Sequence, residues 1–134
     1  MNALLAFASL WLSLYDPVDY NQMGPYWGAV TQESPIVREG VRYWGWADWS
    51  VYARTIKLDW PWLATVYDDA WDNKAAATCV MVHEAVHLRT ASRDHERPLL
   101  YELLCLDRLG ASRLMKARVY AQLEAMWPQG GNDD

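Results

Sequence analysis

Positive charge is scarce in this chain. Its 134 residues hold 12 Lys and Arg against 17 Asp and Glu, a net charge of -5. No basic run or stripe stands out, and a nucleic-acid partner would call for one, so none is expected. The first basic residue is Arg38, so the apolar opening Ala3 to Tyr15 lacks the positive flank of an export signal. At about a dozen residues this run is also shorter than the roughly 20 that cross a bilayer, and no membrane span is expected. Cytoplasmic placement is favoured over export, with an uncleaved or atypical export signal as the competitor. The two cysteines, Cys79 and Cys105, form no C-x-x-C pair, which removes the short zinc and redox motifs. They are either free thiols or one disulfide, depending on compartment. Repeats and low-complexity tracts are absent, and there are only three histidines: His83, His87 and His95.

What is present describes a folded globular unit. Hydrophobic residues make up 52% and charged residues 22%, which excludes a disordered chain. The length fits a single domain, residues 1–134, with a modest core. Tryptophan is in excess, nine residues in all, seven of them between Trp27 and Trp71. Large aromatics let a small domain build a core from few residues. The alternative is an aromatic cluster partly exposed for binding.

The pattern along the chain predicts α+β. Ala3 to Tyr15 reads as a buried core helix stopped by Asp16-Pro17. Asp16 to Pro35, with Pro17, Gly24, Pro25, Gly28 and Pro35, reads as irregular loop. Val37–Trp46 and Ser50–Leu58 read as strands of a small antiparallel sheet, joined by Trp46-Ala47-Asp48-Trp49. Asp59-Trp60-Pro61 reads as a capped helix start, running to about Tyr67. Asp72 or Asn73 then caps a long helix from Lys74 to about Ala91. A polar break, Arg93 to Pro98, precedes helices at Leu99–Leu109 and Ala111–Met126, and a Pro-Gly-Asp tail follows.

The long helix carries the chemistry. Within it stands His83-Glu84-Ala85-Val86-His87, an H-E-x-x-H motif flanked by apolar residues. Residues four apart share a helical face, so His83 and His87 can grip one metal ion while Glu84 reaches its edge. Such a pair with a neighbouring carboxylate suits zinc, which takes imidazole nitrogens and carboxylate oxygens. A catalytic zinc needs a third protein ligand and an open position. Four residues are candidates: Glu102, Asp107, His95 and Glu96. Glu102 leads, because a carboxylate within Leu99-Leu100-Tyr101-Glu102-Leu103-Leu104 needs a partner to justify burial. An antiparallel pairing that brings Glu102 to the histidines also brings Cys105 towards Cys79, one turn before His83. The two cysteines are therefore expected in contact, and bonded if their Cα atoms lie within roughly 7 Å.

These residues resemble the zincin metallopeptidases, and the glutamate candidate resembles the gluzincin branch to which thermolysin belongs. The resemblance covers roughly residues 74 to 110. It implies a minimal zincin-like domain with an edge strand along the cleft. It further implies Zn2+ on His83, His87 and Glu102, and Glu84 as the general base that activates water against a peptide bond. Two features depart from the family. Arg93 stands where the extended metzincin pattern has its third histidine. Leu106 stands where thermolysin-like enzymes carry an Asp. Tyr101, His95 and Tyr120 are the candidate donors to the developing oxyanion. The expected function is a zinc-dependent peptidase or amidase acting on a peptide or protein substrate. The alternative is a non-catalytic module that binds glycan or peptide through Tyr43-Trp44-Gly45-Trp46-Ala47-Asp48-Trp49.

Overall fold

The computed structural model describes residues 1–50 and 53–126. In chain order the elements are α1 (Asn2–Tyr15), α2 (Pro17–Met23), a 3-10 turn (Gly24–Ala29), β1 (Val30–Gln32), β2 (Ile36–Arg38), β3 (Val41–Tyr43), β4 (Gly45–Trp49), β5 (Arg54–Leu58), α3 (Trp60–Leu63), α4 (Ala70–Thr90), α5 (Glu96–Arg108) and α6 (Arg113–Met126). The class is α+β, as the pattern predicts. No described helix is long and apolar enough to cross a membrane.

Helix α4 is the axis of the molecule. Every residue from Ala75 to Leu88 is buried, because α1, α3, α5, β4 and β5 all pack against it. A helix covered all round has no polar face, so its apolar residues follow no amphipathic stripe. Asp69 caps its start, accepting from the Trp71 backbone N–H at 2.7 Å. That is earlier than the Asp72 or Asn73 cap read from the sequence. Asn73 is instead buried and ties down the preceding loop: its Oδ1 accepts from Tyr67 N, and its Nδ2 donates to the Ala64 and Tyr67 carbonyls. Cys79 and Cys105 are joined in a buried disulfide with a Cα separation of 5.5 Å. It fixes the antiparallel register of α4 and α5.

The sheet is mixed, in the order β1-β5-β4: β1 runs parallel to β5, and β4 antiparallel to it. The purely antiparallel sheet expected from the sequence fails because β1 lies in the stretch read as loop. With three residues, β1 is too short to show an alternating pattern. The rest of that stretch is ordered too. Pro17 opens α2 while the Asp16 carboxylate accepts from Asp19 N, so the proline that stops one helix starts the next. The expected strand Val37–Trp46 is cut in three. The first two parts form the β2–β3 hairpin, turned by Glu39 and Gly40 at positive φ, as a two-residue turn requires. Trp46 to Trp49 is strand β4 rather than a connection. Val51, Tyr52 and the Pro-Gly-Asp tail lie outside the described residues. Asp59 caps α3 as expected, although that helix ends at Leu63. The break before α5 is also shorter than expected, because α5 starts at Glu96.

Helix α1 is not wholly buried. Leu4, Ala8 and Leu12 pack inward, while Leu10 and Leu14 are exposed. Every described tryptophan is half-buried. The tryptophans therefore pack against the core from its rim and keep part of their surface exposed.

Candidate metal centre

The last turns of α4 set two imidazoles side by side. His83 and His87 are buried, with Nε2 atoms 3.2 Å apart. Their other nitrogens are both engaged by oxygen acceptors. His83 Nδ1 is 2.8 Å from Glu102 Oε1, and His87 Nδ1 is 2.6 Å from the Ser92 carbonyl. A carbonyl only accepts, so His87 Nδ1 must carry the proton. A carboxylate likewise draws the proton of His83 to Nδ1. In the neutral tautomers, two Nε2 lone pairs then face each other, which is repulsive unless a cation or proton lies between them. Two imidazole nitrogens on a tetrahedral zinc with bonds of about 2.05 Å would be separated by about 3.3 Å. The donor set therefore fits a metal.

The titration tendencies agree. Burial resists protonation of His83, but the negative charges of Glu84 and Glu102 and the Glu102 hydrogen bond outweigh it and raise its pKa. Burial lowers His87 to about 4, so this ring is neutral. The two rings are therefore pushed in opposite directions from their ordinary value.

The chain then turns back beneath the pair. Ala91 takes the left-handed conformation, φ 48°, at the end of α4. This aims the Ser92 carbonyl at His87 and carries Arg93 and His95 to the mouth of the site. The His95 ring lies 5.5 Å from that of His83 and 4.9 Å from that of His87. One nitrogen from each of the three rings lies within 4.8 Å of the others. His95 is exposed, and burial on its inner side lowers its pKa, so it too is available as a neutral donor.

Glu84 sits beside this group, its Oε2 3.9 Å from His83 Nε2. Burial pushes its carboxyl up to about 7, against the pull of His83. Strand β4 passes directly over it at Gly45. A Cβ there would fall 2.7 Å from Val80 Cγ1 and 3.1 Å from Glu84 Oε2, so only glycine allows this close approach. A cleft of about 430 Å³ opens over the site. Its walls include Trp44 just before β4, Gly45 and Trp46 in β4, Trp62 from α3, and Arg118 from α6.

The structure thus brings His83, Glu84, His87 and Glu102 together. It places Glu102 against Nδ1 of His83, on the side away from Nε2, while His95 is the residue that joins the two motif histidines. Asp107 lies on the outer side of α5, paired with Lys116 at 3.1 Å and largely exposed. Glu96 and Tyr101 line a separate surface depression. Tyr120 is exposed, and neither tyrosine lines the cleft. The sequence gives no hint of the Ser92 carbonyl, because any residue supplies one. Gly45 carries a faint signal, a glycine inside an aromatic strand. No family model matches this chain, and no curated protein or solved structure matches it significantly.

Proposed function

We propose that the chain is a zinc-dependent peptidase or amidase of minimal zincin-like build, with His83, His87 and His95 as the metal-holding residues. One observation carries this: two buried imidazoles whose Nδ1 protons are committed and whose Nε2 lone pairs converge at 3.2 Å. Zinc, when bound, supplies a Lewis acid that polarises a carbonyl and lets water ionise near neutral pH. Glu102 and the Ser92 carbonyl hold the two rings in their tautomers and orientations. Glu84, with a carboxyl poised near neutrality, takes a proton from the attacking water and passes it to the leaving amine. Strand β4 is an edge of the sheet and borders the cleft, so an extended peptide can lie along it through main-chain hydrogen bonds.

The Cys79–Cys105 disulfide fits an oxidising compartment better than the cytoplasm suggested by the missing positive flank. A non-catalytic binding module is the second reading. It is favoured by the half-buried Trp44, Trp46 and Trp62 in the cleft wall.

Metal analysis of the purified protein and its variants tests the proposal. One zinc per chain is expected in wild type and in Glu84→Gln, with peptide hydrolysis only in wild type, and His95→Ala should lose the metal. Wild type that takes up no zinc would refute the proposal. Zinc-loaded protein that binds peptides and never cuts them would favour the binding module.

A further inference from the structure

The walls of the cleft hold an imbalance that the metal site does not use. Three arginines line it, Arg42, Arg93 and Arg118, against two acids, Glu84 and Glu102, although the chain as a whole is acidic. Both acids are committed, Glu102 to His83 and Glu84 to the reaction centre. Arg42 is committed too: its Nη2 and Nε both donate to Oδ2 of the fully buried Asp59, at 2.9 and 3.3 Å. Its guanidinium lies 4.3 Å over Trp62.

Arg93 and Arg118 are held differently. The Arg93 guanidinium lies over Trp46 at 4.4 Å and Trp49 at 4.2 Å. That of Arg118 lies over Trp44 at 4.7 Å and Tyr67 at 5.5 Å. Neither guanidinium pairs with a carboxylate or donates a side-chain hydrogen bond among the described residues. Stacking occupies the face of a guanidinium and leaves the N–H groups along its edge free. Each therefore presents along its edge a fork of the kind that recognises carboxylates bidentately. Their stacking partners follow one another along the chain: Trp44, under Arg118, just before Gly45, and Trp46 and Trp49, under Arg93, after it. Since Gly45 covers Glu84, the two forks bracket the reaction centre. At about 3.4 Å per residue, an extended peptide beside β4 meets each within two or three residues of its reacting bond.

We infer that the cleft selects acidic peptides, with Arg93 and Arg118 receiving carboxylates on either side of the scissile amide. The cleaved bond rests on the peptidase reading, and the selectivity on the cleft alone. A cationic cleft between low-dielectric aromatic walls also concentrates anionic ligands before contact.

The test measures binding by tryptophan fluorescence to zinc-loaded Glu84→Gln protein. The probes are end-blocked hexapeptides with Glu, Gln or Lys flanking a central apolar pair, plus the Gln peptide with a free C-terminal carboxylate. The Glu peptide should bind about 10- to 100-fold more tightly than the Gln peptide, and the Lys peptide most weakly. The advantage should shrink in Arg93→Gln and in Arg118→Gln and recover in part in Arg118→Lys. A gain with the free C-terminus as large as that of the Glu peptide assigns one fork to a terminal carboxylate. Equal affinity for Glu and Gln peptides, or an advantage untouched by both Gln variants, would overturn the inference. Tighter binding of a single-stranded oligonucleotide than of the Glu peptide would do the same. Acidic selectivity without cleavage of any probe by wild type would leave this inference standing and refute the peptidase reading.

Discussion

Two groups of buried acids, Glu84 with Glu102 and Asp16 with Asp19, have opposite characters. Glu84 and Glu102 are each set against a histidine and open onto the cleft. Asp16 and Asp19 are buried at the junction of α1 and α2, beside the sulfur of Cys105. Asp16 Oδ1 accepts from the Asp19 backbone and from Arg108 Nη1, the latter at 2.8 Å. Asp16 Oδ2 and both Asp19 oxygens have no partner among the described residues. Burial, reinforced by the adjacent Asp16 carboxylate, drives Asp19 up to about 8. Asp19 therefore keeps its proton at neutral pH, and Cys105 is spent in the disulfide. A buried carboxylate is thus not by itself the mark of a site. What distinguishes Glu84 is a neighbouring set of converging lone pairs and an opening to solvent. The Asp16–Asp19 pair has no histidine beside it among the described residues, and its charge is relieved by a proton instead.

The largest effect expected separates the two groups by chemistry. Glu84→Gln should lower kcat/KM for peptide hydrolysis by about 10²- to 10⁴-fold with zinc retained, while Asp19→Asn leaves turnover unchanged. Equal losses in both variants would make Glu84 an ordinary structural acid. Next comes the link between them. Removing the disulfide, which closes a sequence separation of 26, with Cys79→Ser and Cys105→Ser should cost about 3 kcal/mol in denaturant unfolding. Zinc affinity should fall along with it, because the same bond holds His83 against Glu102. Glu102→Gln should weaken zinc binding by about 10- to 100-fold without abolishing it, as measured by competition with a chelating dye. Full loss of zinc would instead make Glu102 a ligand.

The smallest effect is confined to pH. A carboxyl raised in the folded state adds stability that is complete below its unfolded pKa of about 4 and is lost as pH rises through about 8. Unfolding free energy should therefore decline between about pH 4 and pH 8 and level off above it, and Asp19→Asn should flatten that decline. A slope unchanged by the substitution would place the titration elsewhere.

The two groups also differ in how far the sequence reveals them. The H-E-x-x-H spacing, the apolar flanks of Glu102 and the offsets of Cys79 and Cys105 are all local patterns. Together they foretell the α4–α5 pair, its register and its buried polar contacts. The role of Glu102 is harder to read, because spacing brings a carboxylate to a histidine without saying which nitrogen it meets. His95 was one of four candidates for the same reason: its placement depends on the left-handed turn at Ala91, a residue with no preference for that conformation. The Asp16–Asp19 pair escapes notice because Asp16-Pro17 carries the ordinary signature of a helix end, and β1 because three residues carry no period. Arg118 joins the cleft only through the packing of α6 on α5, a long-range contact that no local motif encodes.

X-ray absorption at the zinc edge of the loaded wild-type protein tests the central claim most directly. Three imidazole nitrogens at about 2.0–2.1 Å with one further light ligand are predicted, falling to two imidazoles in His95→Ala if that variant retains any metal. Two imidazoles and a carboxylate in wild type, unchanged by His95→Ala and lost in Glu102→Ala, would contradict it.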